Sequence, residues 1–154
     1  MTTLSVGSMA PDFSAKDQNG KIITLSDLIG KKIILYFYPK DDTPGCTAEA
    51  CSFRDQYSTL LASGYVVIGV STDDEKSHRK FIKKYELPFS LLSDTGHSIV
   101  NAFGVWVEKN MYGKKYMGIS RETFIIDEKG KITHHLKKVD TKNASGQIEE
   151  IIKS

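Results

Sequence analysis

The chain has 154 residues, of which 40% are hydrophobic and 26% are charged, and its formal net charge is +2. This length predicts one domain over residues 1–154, and so small a net charge, spread along the chain, predicts neither nucleic-acid binding nor membrane binding. The longest apolar runs, residues 33–38 and 65–70, are too short to cross a bilayer. Because the first residues also lack a charged segment followed by an apolar core, we expect a cytoplasmic protein without a signal peptide.

The first half of the chain predicts a hairpin, a buried strand and a long helix. Residues 12–25 are typical of a β-hairpin that turns at Asn19-Gly20, and residues 26–31 indicate a short helical turn. Residues 32–39 form a near-continuous apolar run, which indicates a strand buried on both faces. The helix that follows should stop at Gly64. Its inner face is predicted from apolar residues at helical spacing: Phe53, Tyr57, Leu60 and Leu61.

The second half predicts strands that alternate with helices. We expect a strand over 65–72, followed by a helix over 75–87 that Asp73 or Asp74 caps and Pro88 breaks. A strand over 89–94, a helix over 96–103 and a loop or β-excursion over 105–118 should come next. The chain should close with a hairpin from 122–127 and 131–138 and a final helix capped near Ser145. The alternation predicts an α/β sheet covered by helices on both faces.

Residues 39–51 hold both cysteines and the clearest helix start in the chain. Thr43 is a good N-cap residue, because its side-chain oxygen can accept a hydrogen bond from an amide two or three residues on. Pro44 then takes the first helical position, and Cys46 becomes the third helical residue. Unpaired N–H groups and the helix dipole favour a thiolate there. This placement predicts a reactive thiol; the alternative is a small cysteine buried in the core.

Cys51 follows Cys46 by five positions. On an ideal helix this spacing separates their Cα atoms by about 8–9 Å, whereas a disulfide requires less than about 7 Å. The two cysteines are therefore either unrelated or able to bond only when the first turns of the helix unwind.

The string YPKDDTPGCTAEAC, with Pro39, Thr43 and Cys46, resembles the active-site motif of the peroxiredoxins. A second cysteine five residues later is similar to their bacterioferritin-comigratory, or Q-type, branch, and the resemblance extends to the opening GSMAPDFSAKDQNGKIITLSDLIGK and the late SRETFIID. It implies a thioredoxin-like fold, with a central mixed sheet, helices on both faces and an N-terminal β-hairpin. It also implies a thiol peroxidase for antioxidant defence that reduces hydrogen peroxide and organic hydroperoxides without a cofactor or a metal.

The resemblance assigns roles to the two cysteines and to an arginine. Cys46 would attack the hydroperoxide, Cys51 would resolve the product as an intramolecular disulfide, and thioredoxin would reduce that disulfide. The arginine of SRETFIID, Arg121, would contact the sulfur and the peroxide. The alternative for Arg121 is a surface salt bridge to Glu122 or Glu49.

Three further residues complete the predicted site. Thr43 would offer its hydroxyl to thiolate and peroxide, which is compatible with a plain capping role. Pro39 would shape the pocket wall and keep water off the sulfur; the alternative is that it only ends the strand. Glu49, one turn after Cys46, would orient Arg121 rather than act as a base.

Some alternatives remain open at this point. Five large side chains of the 105–118 segment form either an apolar rim that favours organic hydroperoxides or ordinary core packing: Trp106, Met111, Tyr112, Tyr116 and Met117. The rival functions are a disulfide oxidoreductase, whose Cys-x-x-Cys motif is absent, and a non-catalytic redox sensor or holdase that uses the same disulfide switch. The four histidines show no zinc-binding spacing, so we expect a core or surface role for each. We expect a monomer.

Overall fold

The computed structural model describes residues 4–153. Within these residues the strands are β1 Ser14–Lys16, β2 Ile22–Thr24, β3 Lys32–Phe37, β4 Tyr65–Ser71, β5 Ser90–Ser93, β6 Trp106–Met111, β7 Lys114–Ile119, β8 Glu122–Ile126 and β9 Ile132–Leu136. The α-helices are α1 Pro44–Ala62, α2 Glu75–Tyr85, α3 Ser98–Ala102 and α4 Ala144–Ile152, and short 3-10 turns lie at Leu25–Leu28 and Thr141–Asn143.

Seven of these strands form one mixed sheet in the order β2-β1-β5-β4-β3-β8-β9, and β6 and β7 pair as a separate ribbon. The centre of the sheet is parallel, because β3 pairs with β4 and β4 pairs with β5. Strand β8 is antiparallel to β3, with Phe124 opposite Leu35. The N-terminal hairpin of β1 and β2 joins the sheet through β5. The predicted mixed sheet and the predicted N-terminal hairpin are both present.

Strand β3 sends its side chains into two cores on opposite faces of the sheet. The odd-numbered residues of 33–37 join the core that includes residues of α3. The even-numbered residues of 34–38 join the core that includes residues of α1, α2 and α4. Because both faces are covered, all six side chains are buried, which explains the uninterrupted apolar run. This buried strand leads through the loop 38–43 directly into α1 and so positions the first turn of α1.

Helix α4 packs beside the first half of α1. The hydroxyl oxygens of Ser52 and Ser145 lie 2.9 Å apart, and the Ser145 amide donates a hydrogen bond to Ser52 Oγ at 3.0 Å. Ala144 and Ile148 of α4 belong to the same core as Cys46. The residue that follows Cys51 is therefore tied to the start of the C-terminal helix.

The turn of the N-terminal hairpin differs from the prediction. Residues 17–21 join β1 to β2, so Asn19-Gly20 is not a two-residue turn. Asp17 Oδ1 accepts hydrogen bonds from the amides of Asn19 and Lys21 at 2.9 and 3.0 Å, and this side-chain bonding supports the longer loop. The two-residue turn lies instead at Tyr112-Gly113, where both φ angles are positive, 52° and 81°, as a type I′ hairpin requires.

The 105–118 segment is therefore mainly a hairpin, as one of the two predicted alternatives, a β-excursion, implied. Core packing is the wrong account of four of its large side chains, which are exposed: Met111, Tyr112, Tyr116 and Met117. The fifth, Trp106, is half-buried, and its ring stacks on His97 with 4.3 Å between the ring centroids.

The structure confirms the predicted cap and stop of one helix and corrects other predicted helix features. Leu61 was assigned to the inner face of α1 but is 46% exposed, because Leu60 takes the core position. Helix α2 begins after Asp74, whose side chain accepts a hydrogen bond from the Ser77 amide. The helix ends before Pro88, and its C-cap residue Glu86 has a left-handed φ of 53°. Helix α3 is shorter than the predicted range of 96–103. Helix α4, predicted to be capped near Ser145, begins at Ala144 with Asn143 at its N-cap position. Among residues 4–153, no helix combines the length and the apolar character that crossing a membrane requires.

Candidate active site

The start of α1 lies where the sequence predicts it. Thr43 occupies the N-cap position with an extended backbone, Pro44 is the first helical residue, and Cys46 is the third. The Cys46 side chain is 1% exposed. The sulfur therefore lies in the first turn, close to amides that have no partner within the helix and to the positive end of the helix dipole.

The Thr43 side chain does not form the predicted capping hydrogen bond. Its hydroxyl donates instead to the backbone carbonyl of Lys40 at 2.8 Å. The loop turns back at Asp42, which has a left-handed φ of 57°, between the two residues that form this bond. Because the hydroxyl proton is committed to Lys40, only the lone pairs of Thr43 Oγ1 remain to meet another group.

Arg121 contacts the sulfur. Its Nη2 donates to Cys46 Sγ at 3.3 Å, and its Nη1 donates to Glu49 Oε1 at 2.7 Å. The structure thus brings together three of the predicted residues, Cys46, Glu49 and Arg121. Glu122, the other predicted partner of Arg121, bonds to His135 instead.

The two other arginines lie elsewhere. Arg54 donates to the backbone carbonyl of Tyr85 at 2.9 Å and pairs with Asp55. Arg79 donates to the backbone carbonyl of Gln18 at 3.0 Å. Their guanidinium groups are held by partners in other parts of the molecule, so Arg121 is the arginine that the structure places at the thiol.

Glu49 is fully buried on α1. Burial raises the pKa of its carboxyl to about 7, although the charge and the hydrogen bond of Arg121 act in the opposite direction. Burial alone would lower the pKa of Arg121, but interactions with Cys46 and Glu49 outweigh burial and hold the pKa above its ordinary value. The guanidinium therefore stays charged. Glu49 Oε2 has no hydrogen-bond partner among the described residues. The carboxyl can therefore accept the Arg121 hydrogen bond through Oε1 and gain or lose a proton near neutral pH.

Gly45 gives the guanidinium the room that it occupies. A Cβ atom on Gly45 would lie 3.1 Å from Arg121 Nη2 and 3.8 Å from Thr141 Cγ2. The first distance is tighter than ordinary van der Waals contact, so the arginine would have to shift. In the sequence Gly45 is only a weak helix former, and its contact with Arg121 becomes apparent only in the folded structure.

Cys51 lies on the same helix as Cys46, is half-buried, and is a free thiol, as is Cys46. Helix α1 is continuous through both positions. Ideal helical geometry keeps their Cα atoms about 8–9 Å apart, beyond the reach of a disulfide. Pro39 follows Tyr38 at the end of the β3 segment and is half-buried.

One group of metal-ligand side chains in the described part of the chain is close enough to surround an ion: Asp41, Asp73 and His78. Both ring nitrogens of His78 already have partners, since Nδ1 meets Asp41 Oδ2 at 2.7 Å and Nε2 meets the Leu92 carbonyl at 2.9 Å. Because a carbonyl and a carboxylate only accept hydrogen bonds, each ring nitrogen must carry a hydrogen to bond to them. A nitrogen that binds a metal must instead have a free lone pair. The donor chemistry therefore fits an ion pair rather than a metal centre.

This network is the part of the site that sequence reasoning missed. Asp41 and Asp42 stand between the end of β3 and the N-cap of α1, and both bond to α2. Their place next to the cysteine motif was the available signal, but their partners lie 37 and 42 residues away on a different helix.

Comparisons with known proteins agree with this geometry. The model of the AhpC/TSA family matches residues 6–135. A relative from Coxiella burnetii that carries the name peroxiredoxin bcp is 50% identical over 150 residues, which cover 97% of each chain. Among solved structures, a cysteine mutant of PrxQ from Xylella fastidiosa superposes with a TM-score of 0.92 at 30% identity, covering 99% of this chain and 98% of that one.

A second solved structure is the bacterioferritin comigratory protein of Xanthomonas campestris, studied for alkyl peroxide reduction in trapped intermediate and ligand complexes. It has a TM-score of 0.82 at 35% identity and covers 92% of this chain and 88% of that one. The fold is thus thioredoxin-like, and the protein is a thiol peroxidase that works through cysteine chemistry. The chain belongs to the AhpC/TSA family, in which its relatives are peroxiredoxins.

Proposed function

We propose that Cys46 is the thiol that reacts with peroxide. Its thiolate attacks the terminal oxygen of a hydroperoxide, the O–O bond breaks, and the sulfur becomes a sulfenic acid. The other oxygen leaves as an alkoxide or hydroxide and takes a proton from solvent. The observation that carries the proposal is the 3.3 Å hydrogen bond from Arg121 Nη2 to Cys46 Sγ in the first turn of α1.

Arg121 and Thr43 have different tasks in this proposal. The guanidinium is a planar fork of donors, so it can contact both the sulfur and the oxygen on which charge grows as the O–O bond breaks. Thr43 Oγ1 gives its own proton to Lys40, so it accepts the O–H of the incoming hydroperoxide and orients it. Glu49 holds Arg121 in place through its 2.7 Å bond. Pro39 walls the pocket and keeps water off the sulfur.

The remaining steps regenerate the thiol. Cys51 attacks the sulfenic sulfur of Cys46, which forms the disulfide and releases water. A dithiol donor, which we propose to be thioredoxin, then reduces the disulfide and becomes oxidised itself. Reduction by a thiol donor fits the cytoplasm, where structural disulfides are rare. We also propose that the chain works as a monomer and as one domain over residues 1–154.

The substrate range includes organic hydroperoxides. Side chains alternate between the two faces of the ribbon, so Lys109, Met111 and Tyr116 share one face while Trp106 and Met117 lie on the other. Lys109 is close enough to the site that its pKa is lowered by burial and by Arg121, and raised in turn by Cys46. We propose that Met111 and Tyr116, on the same face of the ribbon as Lys109, form an apolar rim of the site. The Xanthomonas relative studied for alkyl peroxide reduction supports the same substrate class.

A coupled assay tests the proposal. Purified protein with thioredoxin, thioredoxin reductase and NADPH should turn over hydrogen peroxide and an organic hydroperoxide, and Cys46→Ser should abolish the reaction. Consumption of a single equivalent of peroxide without turnover would instead support a redox sensor or holdase. Tyr116→Ala should lower the rate with the organic hydroperoxide more than the rate with hydrogen peroxide. Met117→Ala, on the opposite face, is the matched control and should change neither ratio nor rate.

A further inference from the structure

The loop 38–43, which delivers the chain from β3 to the Cys46 helix, is anchored to α2 through Asp41. Asp41 Oδ1 accepts from the Tyr38 hydroxyl at 2.6 Å, and Oδ2 accepts from the Ser77 hydroxyl at 2.8 Å and faces His78 Nδ1 at 2.7 Å. The Asp41 amide donates to Asp73 Oδ2 at 2.8 Å. Both side chains of the Asp41–His78 pair are almost fully buried.

His78 holds its place with both ring nitrogens. The Leu92 carbonyl beside Nε2 can only accept a hydrogen bond, so Nε2 carries a hydrogen. An ionised Asp41 beside Nδ1 likewise only accepts, so Nδ1 carries a hydrogen as well. The contacts are those of an imidazolium that links the loop 38–43 to strand β5.

The charges around His78 favour the same state. Burial alone lowers the pKa of His78, but the hydrogen bond and charge of Asp41, the Leu92 carbonyl and the charge of Asp73 outweigh burial, and the pKa lies above its ordinary value of 6.5. Tyr38 also faces the ring, and its hydroxyl is 3.5 Å from Nδ1. Burial and the Asp41 charge raise the pKa of Tyr38 well above its ordinary value, so the tyrosine stays neutral.

We propose that His78 is a positioning residue for the peroxide reaction: as an imidazolium it fixes Asp41, and through Asp41 it fixes the loop that presents Thr43 and Cys46. Loss of the proton leaves one of the two nitrogens without a hydrogen to donate. Either Asp41 or the Leu92 carbonyl then loses its donor, and the anchor of the loop weakens. The kinetic part of this inference rests on the proposed function of Cys46, whereas the structural part rests on the network alone.

The dependence on pH has a definite sign. Because the pKa of His78 is higher in the folded protein than the ordinary value of 6.5, the anchor is complete below pH 6.5. It is lost as the pH rises through the raised value. A weaker anchor slows the attack on peroxide, which needs the ordered loop. It also speeds formation of the Cys46–Cys51 disulfide, which needs the first turns of α1 to open. A merely structural role for His78 would change both steps by factors that do not follow its titration.

The first measurement is the protonation state of His78 in the reduced wild-type protein. Long-range 1H–15N spectra should show hydrogens on both ring nitrogens below pH 6.5, and hydrogen exchange, corrected for its intrinsic pH dependence, should show faster opening of residues 40–47 as the imidazolium deprotonates. A neutral His78 below pH 6.5, or opening that does not follow its titration, overturns the inference. Neither readout depends on peroxidase activity, so failure of the proposed function would be seen separately.

The second measurement compares rates of Cys46 oxidation in single-turnover experiments with peroxide. The ratio of wild type to His78→Gln at each pH removes any dependence on pH that the two proteins share. We expect a ratio of about tenfold below pH 6.5, as for loss of one buried hydrogen bond to a charged group, falling towards unity at high pH. Disulfide formation should be faster in His78→Gln. A ratio that does not change with pH refutes the inference.

Two further variants keep the result interpretable. Ser77→Ala removes a hydrogen bond to the same Asp41 oxygen without removing a titratable group. It should lower the rate by a factor that is constant with pH, and it tests the Asp41 anchor independently of His78. If His78→Gln does not fold, the wild-type spectra and hydrogen exchange test the titration. His134→Gln removes a histidine from the edge strand β9 and should leave the rate and its pH dependence unchanged. A pH-dependent ratio for His134→Gln would contradict the assignment to His78.

Discussion

Gly45→Ala should slow the formation of the Cys46–Cys51 disulfide while making Cys46 easier to over-oxidise. In the proposed cycle, residues 43–51 must leave the helix before the two sulfurs can meet, since α1 is continuous through both positions. Anything that strengthens the first turns of α1 therefore holds the sulfenic acid in place for longer. The waiting sulfenic acid then reacts with a second peroxide to give sulfinic acid.

The size of the effect follows from two opposing contributions. Alanine stabilises a helix interior by about 1 kcal/mol relative to glycine, which slows opening by up to about fivefold. The added Cβ would lie 3.1 Å from Arg121 Nη2, so the guanidinium must move by a few tenths of an ångström from its 3.3 Å bond to the sulfur. We expect a smaller loss, about twofold to threefold, in the first reaction with peroxide, because one charge-assisted hydrogen bond is stretched rather than removed.

Rapid-quench mass spectrometry separates the two steps. One equivalent of peroxide gives the rates of sulfenic acid and disulfide formation, and a peroxide titration gives the sulfinic fraction. Ala48→Gly is the matched control: it lies on the same turns, is half-buried, and should weaken the helix by a similar amount. It should speed disulfide formation and protect against over-oxidation. If Gly45→Ala and Ala48→Gly closed the disulfide at the same rate, unwinding of α1 would not limit this step.

Three further predictions concern the side chains around the thiol. Arg121→Lys should keep the fold but lose on the order of tenfold to a thousandfold in the rate of Cys46 oxidation, as when one oxyanion donor is lost, whereas Arg54→Lys should change this rate little in the same stopped-flow assay. Cys51→Ser should consume about one equivalent of peroxide and trap a sulfenic acid on Cys46; continued turnover with thioredoxin would make Cys51 dispensable. Because burial raises the folded-state pKa of Glu49 to about 7, its stabilising contribution is present below its ordinary value of 4.5 and is lost as the pH rises towards 7. Glu49→Gln should remove at most about 3 kcal/mol of that decline, which thermal unfolding between pH 4 and 8 will show.

Local chemistry explains which parts of the site could be predicted from the sequence. A threonine followed by proline sets a helix start through backbone geometry alone, so the third helical position of Cys46 was predictable without knowledge of the fold. The apolar run of β3 was predictable for a similar reason, because burial on both faces leaves no polar positions. The place of Arg121 was available only through family resemblance, since its contact with the sulfur joins residues 75 positions apart.

The features that sequence reasoning missed depend on competition between bonding partners. The sequence predicts that Thr43 caps α1, but in the folded loop its hydroxyl donates to the Lys40 carbonyl and accepts no capping hydrogen bond. Asn19-Gly20 was expected to make a tight turn, but the Asp17 carboxylate gathers the amides of a longer one. His78 was assigned a generic role because its value depends on Asp41 and Leu92, which the fold brings together from separate elements.

The serine pair that joins α1 to α4 has a consequence for how a redox signal would be read from this molecule. Ser52 is hydrogen-bonded to Ser145 on the C-terminal helix, so it marks a fixed boundary just beyond Cys51. In the proposed cycle the rearrangement is confined to the residues before that boundary, while the sheet and α4 act as a rigid reference frame. The emission of a fluorophore placed at the C-terminal end of α4 should therefore not change with the oxidation state of Cys46 and Cys51. One placed at Thr47 would report it, and the pair would form a ratiometric indicator within a single chain.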